Sequence, residues 1–175
     1  DGSTLNPTSV EWNGSSPQDF VDTTMIPIQY PESESKHIAI DFNKDGKSDL
    51  FVYDQNSIYF FDNQNGDFMY SNYHYDANTQ WHIRKCVPAD MDGDGFSELI
   101  TAFTDNDKYM TYVTRTRFPF QMDTLFPVFS TNGYKDIVTG DFLGNGQNQV
   151  VVLYQGPSSY YIRSSFQSVQ QSVIG

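Results

Sequence analysis

The feature that most constrains this chain is a nine-residue acidic loop that occurs three times at nearly equal spacing. Its fullest copy is Asp90-Met91-Asp92-Gly93-Asp94-Gly95-Phe96-Ser97-Glu98, with carboxylates at positions one, three, five and nine and a glycine at position six. Alternate spacing turns oxygen atoms toward one point, and the glycine permits the sharp backbone reversal that such a loop needs. Four carboxylates crowded together repel one another unless a cation stands between them. Hard cations such as calcium take six to eight oxygens at ~2.3–2.6 Å. An acidic surface turn is the plain alternative, since Asp and Gly are common turn residues. Recurrence argues against it.

The loop begins 49 residues earlier as Asp41-Phe42-Asn43-Lys44-Asp45-Gly46-Lys47-Ser48-Asp49, with oxygen-bearing side chains again at positions one, three, five and nine. It returns 51 residues later as Asp141-Phe142-Leu143-Gly144-Asn145-Gly146-Gln147-Asn148-Gln149. In that third copy Leu143 fills position three, Asn145 and Gln149 are neutral, and Asp141 is the one remaining carboxylate. The third copy is expected to be a weak or empty site.

An EF-hand is rejected. It needs a bidentate acid at position twelve and helices on both sides, whereas position twelve here is Val52 or Thr101. Each loop runs directly into an apolar stretch, Leu50-Phe51-Val52-Tyr53 or Leu99-Ile100-Thr101-Ala102-Phe103, that reads as a strand. The loop therefore closes a β-hairpin.

With those residues in view, the segments Ile40–Leu50 and Ala89–Leu99 resemble the FG-GAP or VCBS repeat, the calcium-loop blade repeat of integrin-α-like β-propellers, and Gly140–Val150 matches it in outline. The resemblance covers roughly residues 36–170. It implies antiparallel blades around an axis, with calcium in the hairpin loop of each intact blade. Such repeats occur in integrins, bacterial surface proteins, polysaccharide-active enzymes and toxin components, so the motif speaks to fold and metal more than to function. Asn6–Trp12, ahead of the repeats, is similar to the propeller region of Rhs-type and Tc-toxin-B-type bacterial proteins. The coordinating set implied is Asp41, Asn43, Asp45, Asp49 and the carbonyl of Lys47 in the first loop. In the second it is Asp90, Asp92, Asp94, Glu98 and the carbonyl of Phe96. The larger carboxylate count of the second predicts tighter binding.

The rest of the chain agrees with an all-β fold. Aromatic residues make up 16% of 175 residues, including 14 Phe and 12 Tyr, which favours strands. Residues 1–35 are expected to hold two leading strands, Ser9–Trp12 and Thr24–Tyr30, plus a polar connector beginning at Pro31; Pro27 marks the second as an edge. Asn13-Gly14-Ser15 is a glycosylation sequon that reads as a turn. Three blades follow, at about 36–80, 81–131 and 132–175. Asn65-Gly66 signals a tight hairpin turn within the first. Together with the leading strands this makes about three and a half blades, fewer than the four to eight of a closed propeller. The chain is therefore read as a module of a longer protein, mature or trimmed at its start, and its open strand edges invite self-association.

The formal charge of −12 comes from 22 acids against 10 bases. Such a surface excludes nucleic acid and anionic membrane as partners, since both need Lys/Arg patches. No apolar run approaches the ~20 residues of a membrane-spanning helix. The lone Cys86 allows no intrachain disulfide and reads as a small buried thiol. Calcium loops without helices are not cytosolic sensors, which favours an extracellular, cell-surface or periplasmic setting.

Catalysis finds no support in the residues. His37, His74 and His82 lie in no ligand spacing, and there is no Gly-x-Ser-x-Gly elbow or phosphate-binding glycine loop. The expected function is a non-catalytic, calcium-binding scaffold or interaction module for a protein or glycan ligand. The alternative is a carbohydrate-binding or carbohydrate-active propeller. Aromatic turns are the candidate contacts: Tyr73-His74-Tyr75 and Trp81-His82 between the first two blades, Phe118-Pro119-Phe120, and Ser158-Ser159-Tyr160-Tyr161. Packing between blades is the competing role for each.

Overall fold

A computed structural model describes residues 35–77, 80–105, 110–129, 134–155, 160–164 and 171–173. The leading strands, the sequon, Asn6–Trp12 and Ser158-Ser159 lie outside the described residues.

Among the described residues twelve strands form three separate four-stranded antiparallel sheets, each a simple meander. The first sheet holds β1 (Lys36–Ile40), β2 (Asp49–Tyr53), β3 (Ser57–Gln64) and β4 (Asp67–Asp76). The second holds β5 (Trp81–Ala89), β6 (Glu98–Asp105), β7 (Met110–Arg117) and β8 (Gln121–Phe129). The third holds β9 (Tyr134–Gly140), β10 (Gln149–Gln155), β11 (Tyr160–Ser164) and β12 (Gln171–Val173). There is no helix among the described residues, and no sheet closes on itself. Each acidic loop is the first hairpin connection of its sheet, as its position between two apolar runs requires.

Strand β6 is buried at every position from Glu98 to Thr104, because the second sheet packs between the other two. Strand β5 lies against β1 on one side and β9 on the other. One core, between the first and second sheets, contains Phe42, Phe51, Phe60, Ile83, Leu99 and Phe103. The other, between the second and third, contains Ile100, Val113, Ile137, Val150 and Val152. The first is held by aromatic geometry: Phe42 meets Phe51 edge-on at 5.0 Å, and Phe120 stacks on Tyr73 at 3.8 Å. Asn65 and Gly66 both take positive φ, 62° and 102°, and turn β3 into β4.

Two expectations need correction. Tyr73-His74-Tyr75 and Trp81-His82 are not connecting loops: they belong to β4 and β5, strands longer than the sequence indicated. Tyr73, Tyr75 and Trp81 pack against the first core, as does Phe120 from the β7–β8 turn. The strands run on because Ile58 pairs with Tyr75 and Trp81 with Asp105, so cross-strand hydrogen bonding continues through residues that composition alone assigns to a turn. Cys86 is buried beside Thr101 at 3.5 Å, and burial pushes its thiol up to about 12, which makes it a packing residue.

Candidate metal centre

The three loops share one hydrogen-bond template, dictated by their sequence. The position-one carboxylate accepts from the amides of positions five and six. Asp41 takes Asp45 N at 3.1 Å and Gly46 N at 2.9 Å. Asp90 takes Asp94 N at 3.1 Å and Gly95 N at 2.8 Å. Asp141 takes Asn145 N at 3.0 Å and Gly146 N at 2.8 Å. Those contacts require the position-six residue to turn into left-handed space, and Gly46, Gly95 and Gly146 sit at φ 86°, 87° and 81°. The position-five side chain accepts from the amide of position seven in every loop.

Position nine performs a second task that spacing did not reveal. Its side-chain oxygen accepts from the backbone N–H of position two, fastening the loop's start to its end: Phe42 N to Asp49 at 3.0 Å, Met91 N to Glu98 at 2.8 Å, Phe142 N to Gln149 at 2.8 Å. Asp49 is fully buried and also accepts from Asn43 N and Asn63 N. Burial nevertheless raises its pKa, outweighing those amide contacts, and it raises that of Glu98 too, where the Met91 amide and the charge of Arg115 oppose it. The Asp49 carboxylate keeps one lone pair beyond those three contacts, on Oδ1.

The loops differ in what neutralises them. In the second, one oxygen from each of Asp90, Asp92 and Asp94 lies within 4.8 Å of the others, three hard donors converging on one point. Such a donor set suits a hard divalent cation. In the first loop Lys47 reaches back to Asp45 at 3.0 Å, and Asn43 is drawn to Asp62 at 2.7 Å. In the third, the Gln149 amide donates to Asn145 Oδ1 at 3.3 Å and to the carbonyl of Gln147 at 2.5 Å. It thus satisfies the oxygens of positions five and seven from inside the loop. Phe96 and Lys47, proposed as carbonyl ligands, hold position seven of their loops.

The loops also touch one another, which their separation in sequence hid. Lys44 of the first donates to Asp94 of the second and lies 5.1 Å above the Phe96 ring. That contact, foremost, holds the Asp94 carboxyl below its ordinary range. Gln147 of the third donates to the Asp92 carbonyl at 3.0 Å, and Asn148 N donates to the Asp90 carbonyl at 2.7 Å. Position two tracks the neighbouring sheet. Phe42 is 2% exposed beneath Phe118 and Phe120, Met91 packs on the second core, and Phe142 is 51% exposed.

No curated protein matches the chain. A family model described as the FG-GAP-like repeat matches residues 41–101, from the first residue of the first loop, through the whole second loop, into β6. This stretch of the chain is similar to the FG-GAP-like repeat.

Proposed function

We propose that the chain is a non-catalytic, calcium-stabilised β-propeller module that serves as a scaffold or interaction surface in a secreted or cell-surface protein. The observation that carries the reading is the convergence of Asp90, Asp92 and Asp94 within 4.8 Å, in a loop inside the stretch similar to the FG-GAP-like repeat. Calcium would be held by these three with Glu98 and the carbonyl of Phe96. The first loop would use Asp41, Asn43, Asp45, Asp49 and the carbonyl of Lys47. Two ions would offset four of the twelve net negative charges, leaving an acidic surface suited to a protein or glycan partner. The scaffold role follows from the repeat itself, which supplies a rigid stack of sheets with loops gathered at one end. The half-exposed Phe142 and Leu143 beside β9 are the natural place for a further sheet or a second copy to pack.

The test is calorimetric titration of the chelated protein with calcium, alongside melting curves with and without the ion. Saturable binding with a rise in melting temperature is the expected result. Unchanged melting and no binding heat would reject the metal reading.

A further inference from the structure

We propose that the cleft between β4 and the outer half of the second sheet is a binding site for a neutral sugar ring. The proposal rests on the reading of this chain as a binding module and names its ligand class.

The cleft has a volume of about 380 Å³ and is lined by Tyr75 of β4, Trp81 of β5, Phe103 of β6, Tyr112 and Thr114 of β7, and Thr124 of β8, with Met122 at its mouth. Small-molecule sites span ~300–1,000 Å³ and combine aromatic walls with a few polar groups. The register explains why these residues meet. Phe103 faces Tyr112, Thr101 faces Thr114, and Thr114 faces Thr124, so all lie on the face turned toward the first sheet. Between Val113 and Thr114 the β7–β8 register shifts, a local irregularity of the kind that re-aims side chains beside functional sites.

The aromatic and hydroxyl walls differ in what they have left to offer. Trp81 meets Tyr112 edge to face at 4.8 Å and Tyr75 meets Phe103 likewise at 5.4 Å, yet Trp81, Tyr112 and Tyr75 all remain partly exposed. They are a ring platform that the core has not consumed. On the same face Thr101 is satisfied by Cys86, and Thr116 bonds Tyr73. Thr114 is not: it is 5% exposed and its Oγ1 has no hydrogen-bond partner in the protein. A buried hydroxyl without a partner costs stability that a ligand hydroxyl would restore. No charged side chain lines the cleft, so neither a carboxylate nor an ammonium ligand finds a counter-charge there. A pyranose offers what remains: a C–H face for the rings and hydroxyls that both donate and accept.

The experiment is a screen of neutral and uronate-containing oligosaccharides on an array, in calcium, followed by titration of the brightest neutral ligand into wild type, Tyr112→Ala and Thr114→Val. We expect neutral glycans to bind and uronates to bind less. Tyr112→Ala should weaken binding about tenfold or more. Thr114→Val should weaken it about tenfold while leaving the melting temperature unchanged or higher, because an isosteric methyl removes an unsatisfied buried hydroxyl. The valine variant separates lost binding from lost folding. An array without neutral hits, preferential binding of uronates, or wild-type affinity in either variant would overturn the proposal. Calcium-dependent melting in a protein that takes no glycan would overturn it while leaving the metal reading standing.

Discussion

Gln149 donates its side-chain amide to the carbonyl oxygen of Gln147, 2.5 Å away, inside the third loop. In the second loop the corresponding residues are Glu98 and Phe96, an anion beside a carbonyl, with no internal donor to join them. The third loop therefore keeps the backbone template of the second while supplying a hydrogen-bond donor of its own where the second has carboxylates. Replacing Leu143→Asp, Asn145→Asp and Gln149→Glu together would remove that donor and restore four carboxylates. Calcium titration should then show one additional site compared with wild type. An unchanged stoichiometry would mean that the backbone template is insufficient without further support.

The second loop should dominate metal-linked stability. A ligand that binds only the folded state adds RT ln(1 + [L]/Kd), roughly 2.7 kcal/mol at ~100 times Kd. For a chain of this size each kcal/mol is worth about 2–4 °C. Asp92→Ala should lower the melting temperature in calcium by about 5–10 °C and change little in chelator. Asn145→Ala should leave it nearly unmoved in both. Scanning calorimetry under the two conditions decides the ranking.

Lys44 contributes a positive charge to Asp94 from the neighbouring loop. A cation arriving at Asp90, Asp92 and Asp94 must share that carboxylate with an ammonium group. Lys44→Gln should therefore tighten calcium binding several-fold at low ionic strength. The advantage should fade in high salt as the exposed charges are screened. Affinity that fell in the variant would show instead that Lys44 positions Asp94 for the ion.

Two residues at the same loop position should behave oppositely. Phe42 is buried against Phe51, Phe60, Phe118 and Phe120, so Phe42→Ala should cost about 3–5 kcal/mol in urea unfolding. Phe142 is 51% exposed, and Phe142→Ala should change stability by less than about 0.5 kcal/mol. A large cost at Phe142 would show that its ring is held as firmly as that of Phe42 despite its exposure.

This contrast also shows what the sequence could reveal. The loops, the hairpins that carry them and the Asn65-Gly66 turn were legible because each is a local pattern: fixed spacing, flanking apolar runs, a demand for positive φ. The strand status of Tyr73–Asp76 and Trp81-His82 was not, since aromatic polar stretches also make turns and only pairing with Ile58 and Asp105 decides between them. Contacts such as Lys44 to Asp94 and Gln147 to Asp92 depend on how the sheets stack. Nothing in residues 50 positions apart announces them. The orphaned hydroxyl of Thr114 is likewise invisible in sequence, because it is defined by neighbours that fail to reach it.

The ion pair between Lys85 of β5 and Asp136 of β9, 2.7 Å apart, ties the second sheet to the third at their adjoining edges. Lys85, foremost, holds the Asp136 carboxyl below its ordinary value, and the Ile137 amide assists at 2.8 Å. A carboxylate whose folded pKa is depressed adds stability above its unfolded pKa of ~3.9, and that contribution disappears as pH falls through the folded value. Both partners keep contact with solvent, which limits the pair to about 0.2–1 kcal/mol. Asp136→Asn should thus cost up to about 1 kcal/mol between pH 5 and pH 7, measured by urea unfolding in chelator. Below about pH 4 the wild type and the variant should converge. Comparing the two proteins at each pH cancels the titration of the loop carboxylates, which both share. A gap that persisted undiminished into acid would mean that Asp136 acts through packing or its hydrogen bond to Ile137 N rather than through charge.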